Sequence, residues 1–89
     1  EALQDAGMAL GLDAEASKLL ALQTFAGASQ LAVQSHDDVK TLRAQVTSKG
    51  GTTEQGILAL ENADIKDIMR RAAKAAADKS VMLGDQLGS

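Results

Sequence analysis

A run without any charged side chain, from Leu19 to Ser35, most constrains how this chain can fold. Helical spacing places apolar and small residues nearly all the way round it: Leu19, Leu20, Leu22, Phe25, Ala26, Gly27, Ala28, Leu31, Ala32 and Val33. A helix without a clear polar face is buried on more than one side. Three or four further helices from an 89-residue chain cannot easily surround it. The pattern therefore predicts that a second copy of the chain covers it.

A membrane span is the other explanation for an uncharged helix, and the polar residues in the run argue against it. Gln23, Thr24, Ser29, Gln30 and Gln34 interrupt the apolar sequence. A span needs about 20 predominantly apolar residues. We therefore expect no membrane association.

Composition removes several classes of site. Cysteine is absent and His36, which we expect in an exposed loop, is the one histidine, so we expect no metal centre. Phe25 is the one aromatic residue, so platforms for stacking single-stranded nucleic acid are missing. The net charge is −3 and no basic face is present, which argues further against nucleic acid as a partner.

Apolar spacing predicts an all-α domain of about five helices, interlocked with a second chain. The helices are expected at about 2–10, 14–35, 39–46, 53–61 and 65–86. Gly11 suits the position after a helix, where a left-handed conformation is common. Asp13 and Asp64 suit the N-caps of the second and last helices. Residues 1–89 read as one domain, and because the chain begins inside a helix we interpret it as a piece of a longer protein.

The stretch that does not read as helix runs from Val46 to Gln55. Two adjacent glycines, Gly50 and Gly51, precede a helix start, and Thr52 with Gln55 three residues later fits a capping box. Unpaired N–H groups and the positive end of a helix dipole favour an anion such as a carboxylate or phosphate. The hydroxyls of Ser48, Thr52 and Thr53 stand around this position. A plain helix–helix turn with a good cap is the alternative interpretation.

The segment Val46-Thr47-Ser48-Lys49-Gly50-Gly51-Thr52-Thr53 resembles the signature loop of pyrroline-5-carboxylate reductase, in its C-terminal dimerisation domain. That family typically carries Ser-Pro-Gly-Gly-Thr-Thr, so Lys49 stands in place of a proline. Three other segments agree with the family in the right order: Gly11-Leu12, Ala21-Leu22-Gln23-Thr24 and Ile57-Leu58-Ala59-Leu60-Glu61.

The resemblance implies an enzyme that reduces the imine of 1-pyrroline-5-carboxylate to proline, in proline biosynthesis, with NADPH or NADH. In that family an N-terminal Rossmann domain binds the NADP or NAD cofactor, and no Gly-x-Gly-x-x-Gly occurs in this chain. We therefore expect the chain alone to be inactive. The resemblance further implies a homodimer or higher oligomer and a cytoplasmic location.

The resemblance also assigns site residues. Ser48, with the backbone at Gly50, Gly51 and Thr52, would hold the substrate carboxylate. Thr53 would hydrogen-bond the ring nitrogen and is the catalytic residue in that sense, orienting the imine for hydride attack. This is catalysis by positioning and charge complementarity, and no side chain is an evident general acid.

Two further hypotheses stay open on the sequence. The chain could be a stand-alone helical interaction module, in which the Gly-Gly pair is merely a turn. It could also be the helical domain of another two-domain dehydrogenase, since such domains share helix-rich dimer interfaces.

Overall fold

A computed structural model describes the backbone of residues 1–88 and the side chains of residues 1–85. It contains five helices: α1 Ala2–Ala9, α2 Ala14–Gln34, α3 Val39–Gln45, α4 Thr52–Asn62 and α5 Ile65–Gly88. No strand occurs in that part of the chain, so the all-α prediction is confirmed. The helix ends fall within two residues of the expected ones, the usual uncertainty of helix boundaries. The chain divides into two compact units, one up to Gln45 and one from Val46 onward.

In the first unit, α1 ends in a Schellman motif. The N–H of Leu12 donates to the carbonyl of Gly7 at 3.1 Å, and the N–H of Gly11 donates to the carbonyl of Met8 at 3.0 Å. Gly11 has φ +104°, the left-handed conformation that glycine adopts without a steric penalty. The position predicted for Gly11 is therefore confirmed, and the turn sends the chain directly into α2.

Carboxylate caps start the next two helices. Asp13 accepts a hydrogen bond from the N–H of Ala16 at 2.7 Å at the start of α2, as predicted. Asp38 accepts from the N–H of Thr41 at 2.8 Å at the start of α3. This hydrogen bond holds the pKa of Asp38 below its usual value. His36 lies in the exposed bend between the two helices, as expected.

In the second unit, Asp64 ends α4 and starts α5. Its N–H donates to the carbonyl of Glu61 at 2.9 Å, and its carbonyl accepts from the N–H of Ile68 at 3.0 Å. The N-cap position predicted for Asp64 is confirmed, with one addition. Asp64 has φ +62°, a left-handed conformation that short polar residues tolerate better than others do.

Helices α1 and α2 pack closely against each other at Gly7 and Ser17. A Cβ atom on Gly7 would lie 2.7 Å from Oγ and 3.2 Å from Cβ of Ser17. Ser17 is 2% exposed, the one buried residue among the described side chains. Its hydroxyl has no hydrogen-bond partner in the described part of the chain. The contact therefore depends on the small size of both residues.

The large apolar side chains of α2 are all exposed: Leu19, Leu20, Leu22, Phe25, Leu31 and Val33. Phe25 is 64% and Val33 84% exposed. Fully burying one such side chain stabilises a fold by about 1.5–3 kcal/mol. Residues 1–85 do not bury these side chains, so most of this stabilisation is missing. The apolar surface of α2 therefore favours contact with another protein surface.

We predict that Gly7→Ala destabilises the chain by about 1–3 kcal/mol, because the new methyl group overpacks the contact with Ser17. Urea unfolding measures the change. Gly56→Ala in α4 is the control, since a Cβ there meets nothing within 4 Å and alanine favours a helix over glycine by up to about 1 kcal/mol. Adding Ser17→Ala recovers part of the loss. A Gly7→Ala variant as stable as the wild type contradicts the close contact.

Candidate functional site

The Gly-Gly segment forms a tight turn that leads straight into α4. The N–H of Gly51 donates to the carbonyl of Ser48 at 3.0 Å, which closes the turn. Gly50 has φ +78°, a left-handed conformation that glycine adopts without the steric cost that other residues incur. The N–H of Gln55 then donates to the carbonyl of Gly51 at 3.2 Å, the first helical hydrogen bond of α4.

The predicted capping box on Thr52 and Gln55 is wrong, because α4 begins one residue earlier than expected. The N-cap of α4 is Gly51, in an extended conformation with φ −84° and ψ 175°, and no side chain caps it. Thr52 is already the first helical residue, so its hydroxyl is not at the N-cap. Because the turn places Gly51 at the helix boundary, the residue three positions on is Glu54 rather than Gln55.

Glu54 is a residue of this turn that the sequence analysis did not single out. Its Oε1 atom accepts a hydrogen bond from the N–H of Gly50 at 3.1 Å, and the residue is half-buried. The sequence did contain an indication that Glu54 interacts with the start of the helix. Glycine is also an acceptable N-cap, and Gly51 with Glu54 has the spacing of a capping box. Threonine simply ranks as the more familiar first residue of that motif.

Three backbone donors of the first turn of α4 remain open. The N–H groups of Thr52, Thr53 and Glu54 have no helical partner, and they find no acceptor among residues 1–88. The positive end of the α4 dipole lies at the same place. Since Gly50 and Gly51 already donate to Glu54 and Ser48, these three groups are what the turn offers to an incoming anion.

The side chains around the turn leave its N–H groups accessible to a ligand. Ser48, Thr52 and Thr53 are exposed, and the hydroxyls of the two threonines make no hydrogen bond within the described residues. A Cβ on Gly51 would lie 3.2 Å from the carbonyl oxygen and 3.4 Å from Oγ of Ser48. The residues predicted for the site therefore lie together, and position 51 has little space for a larger residue.

The described residues lack two other features, a cluster of metal-binding side chains and a membrane-spanning helix. Residues 1–88 hold no group of three or more histidine, aspartate or glutamate side chains that could bind a metal ion. No helix in that range combines the length and the apolar character that crossing a membrane requires.

Comparison with known proteins identifies what this arrangement resembles. The family described as pyrroline-5-carboxylate reductase dimerisation matches residues 1–83. The chain is 40% identical over 88 residues to a pyrroline-5-carboxylate reductase of Pseudomonas aeruginosa, covering 99% of this chain and 32% of that protein. It is 37% identical over 86 residues to pyrroline-5-carboxylate reductase 2 of Bacillus subtilis, covering 97% and 31%. The chain thus spans about a third of the length of these curated relatives.

Solved structures agree. The crystal structure of the Plasmodium falciparum pyrroline carboxylate reductase with NADP bound superposes with a TM-score of 0.85 at 38% identity, over 89% of this chain and 32% of that one. A Coxiella burnetii pyrroline-5-carboxylate reductase gives a TM-score of 0.83 at 42% identity, over 88% and 29%.

We predict that removing the Thr52 hydroxyl has little effect on stability, because Gly51 is the N-cap of α4. Thr52→Ala leaves the free energy of unfolding within about 0.5 kcal/mol of the wild type, because its hydroxyl makes no hydrogen bond in the fold. Asp13→Ala is the positive control, since losing a side-chain cap costs about 0.5–2 kcal/mol. Both are measured by urea unfolding. A loss at Thr52 as large as that at Asp13 would restore Thr52 as the cap.

Proposed function

Because the chain belongs to the pyrroline-5-carboxylate reductase dimerisation family, we propose that it is the self-associating and substrate-binding domain of such an enzyme. The enzyme reduces 1-pyrroline-5-carboxylate to proline with NADPH or NADH. The observation that carries this proposal for the site is the first turn of α4, with its three N–H groups unoccupied. The substrate carries a carboxylate, which is the kind of group that such a turn binds.

In the proposed complex the carboxylate binds at the turn from Ser48 to Thr53. The N–H groups at the start of α4 and the Ser48 hydroxyl donate to it, and the left-handed Gly50 and the confined Gly51 keep the backbone close. Thr53 hydrogen-bonds the ring nitrogen and orients the imine for attack by the hydride. Catalysis then comes from holding the reacting carbon in place and from fixed dipoles around the charge.

The cofactor is assigned to residues outside this chain. The Plasmodium falciparum relative binds NADP, and the present chain contains no Gly-x-Gly-x-x-Gly with which to hold a dinucleotide. We infer that residues 1–89 act as one domain beside a separate cofactor-binding domain and show no reductase activity by themselves. A cytoplasmic location belongs to the same proposal.

Self-association is proposed to occur through α2, in a dimer whose subunits interlock. This helix carries no charge from Leu19 to its end and exposes every large apolar side chain that it has. An obligate dimer commonly buries more than about 2,000 Å² in total, and α2 provides the apolar part of such an area. The α5 helix exposes Ile68, Met69 and Met82, and we propose that it also takes part in self-association.

We predict a folded dimer in sedimentation at micromolar concentration. Phe25→Glu shifts it toward monomer or unfolded chain, because the interface would then bury an unpaired charge. Lys18→Glu on the same helix is the control and leaves the dimer intact. A wild-type chain that sediments as a folded monomer at that concentration removes the proposed interface.

We predict that Thr53→Ala lowers kcat/KM about tenfold or more in a reductase that contains this segment and its cofactor-binding domain. A lost hydrogen bond leaves the ring nitrogen without its partner in the transition state. The assay follows NADPH oxidation with 1-pyrroline-5-carboxylate. Urea unfolding of the same variant shows little change, because the Thr53 hydroxyl makes no bond in the fold. Wild-type kinetics in Thr53→Ala would show that the assigned role is wrong.

A further inference from the structure

We propose that Glu54 is a positioning residue for the substrate, acting through the N–H of Gly50. The inference rests on the proposed function, since it concerns the same loop, and it assigns a role to a side chain outside the motif that carries the family resemblance. Its starting point is the hydrogen bond of 3.1 Å from the Gly50 N–H to Oε1 of Glu54.

The hydrogen bond does not have the register of an ordinary capping box. In a capping box the side chain at the third helical position reaches back to the N–H of the N-cap. Here the N-cap is Gly51, and its N–H already donates to the carbonyl of Ser48. The carboxylate of Glu54 therefore reaches one residue further out, to Gly50. It ties α4 to the loop and not merely to its own first turn.

Gly50 has few other restraints on its conformation. It is exposed, and a Cβ built on it would meet nothing within 4 Å, so packing does not select its φ of +78°. Glycine reaches many other conformations at similar energy. The hydrogen bond from its N–H to Oε1 of Glu54 is therefore a restraint on this exposed glycine that packing does not supply. Glu54 thus reduces the ordering that substrate binding would otherwise require of the loop.

Glu54 acts on both sides of the helix boundary. Its side chain holds the loop, while its own N–H is one of the three open donors of the first turn. The carboxylate also occupies the Gly50 N–H, so that the substrate carboxylate is directed to Thr52, Thr53 and Glu54. Its negative charge opposes that of the substrate. The benefit to binding therefore comes from the acceptor atom and its reach, and the charge works against it.

Three substitutions separate the contribution of the acceptor atom and its reach from the contribution of the charge. They are assayed in a reductase that contains this segment and its cofactor-binding domain, with 1-pyrroline-5-carboxylate and NADPH. Glu54→Ala removes the acceptor, and KM for the substrate rises about tenfold while kcat changes less than about threefold. Glu54→Asp keeps the charge but shortens the reach, and KM rises similarly. Glu54→Gln keeps the acceptor and the reach without the charge, and KM stays within about twofold of wild type or falls.

Asp13→Ala is the matched control, because it removes a carboxylate from the start of α2 instead of α4. It lowers the melting temperature and leaves KM unchanged, whereas Glu54→Ala changes both. A KM within about twofold of wild type in Glu54→Ala overturns the inference, and so does a Glu54→Gln variant as impaired as Glu54→Ala. If Glu54→Ala does not fold, Glu54→Asp and Glu54→Gln decide by the same comparison.

Failure of this inference differs from failure of the proposed function. If Thr53→Ala lowers kcat/KM and Glu54→Ala leaves KM unchanged, the loop is the substrate site and Glu54 does not position it. If neither substitution changes the kinetics, the loop is not the substrate site and both proposals fall.

Discussion

The rest of this structure depends on covering the apolar surface of α2. Its Leu, Phe and Val side chains are exposed along the whole helix, and Ser17 is the one buried residue among the described side chains. Each of those side chains would contribute about 1.5–3 kcal/mol on full burial, and small domains are stable by only about 5–15 kcal/mol in total. In the dimer that we propose, the stability of the fold would therefore depend on association, as it does in obligate dimers.

The most specific backbone conformations in this chain lie at the helix ends. Gly11 closes α1 so that Gly7 can meet Ser17, Asp64 joins α4 to α5 in a left-handed conformation, and Gly50 turns the loop into α4. Each turn satisfies backbone groups that a helix end leaves unpaired. At the first turn of α4, three N–H groups stay open. Side-chain carboxylates cap α2 and α3, whereas no side chain caps α4, and this open end is where we propose that the substrate carboxylate binds.

The candidate site was predictable in its location but not in its hydrogen bonds. Two glycines before a helix start indicate an anion site, and the residues from Ser48 to Thr53 do lie together in one turn. The cap was displaced by one residue because Thr52 with Gln55 and Gly51 with Glu54 have the same spacing. Local preference favours threonine as an N-cap, whereas the turn closed by Ser48 and Gly51 decides the register. That shift frees both threonine hydroxyls and brings in Glu54.

The sequence by itself determined the five helices, their ends to within two residues, the glycine turns and the family. These features depend on interactions between residues a few positions apart, so apolar spacing and capping residues are sufficient to predict them. Tertiary structure decided that Gly7 meets Ser17 across two helices and that Gly50 donates to Glu54. Both contacts depend on how the backbone turns between helices, where a one-residue shift of register changes every hydrogen-bond partner. Residue propensities are too weak to determine which register is adopted.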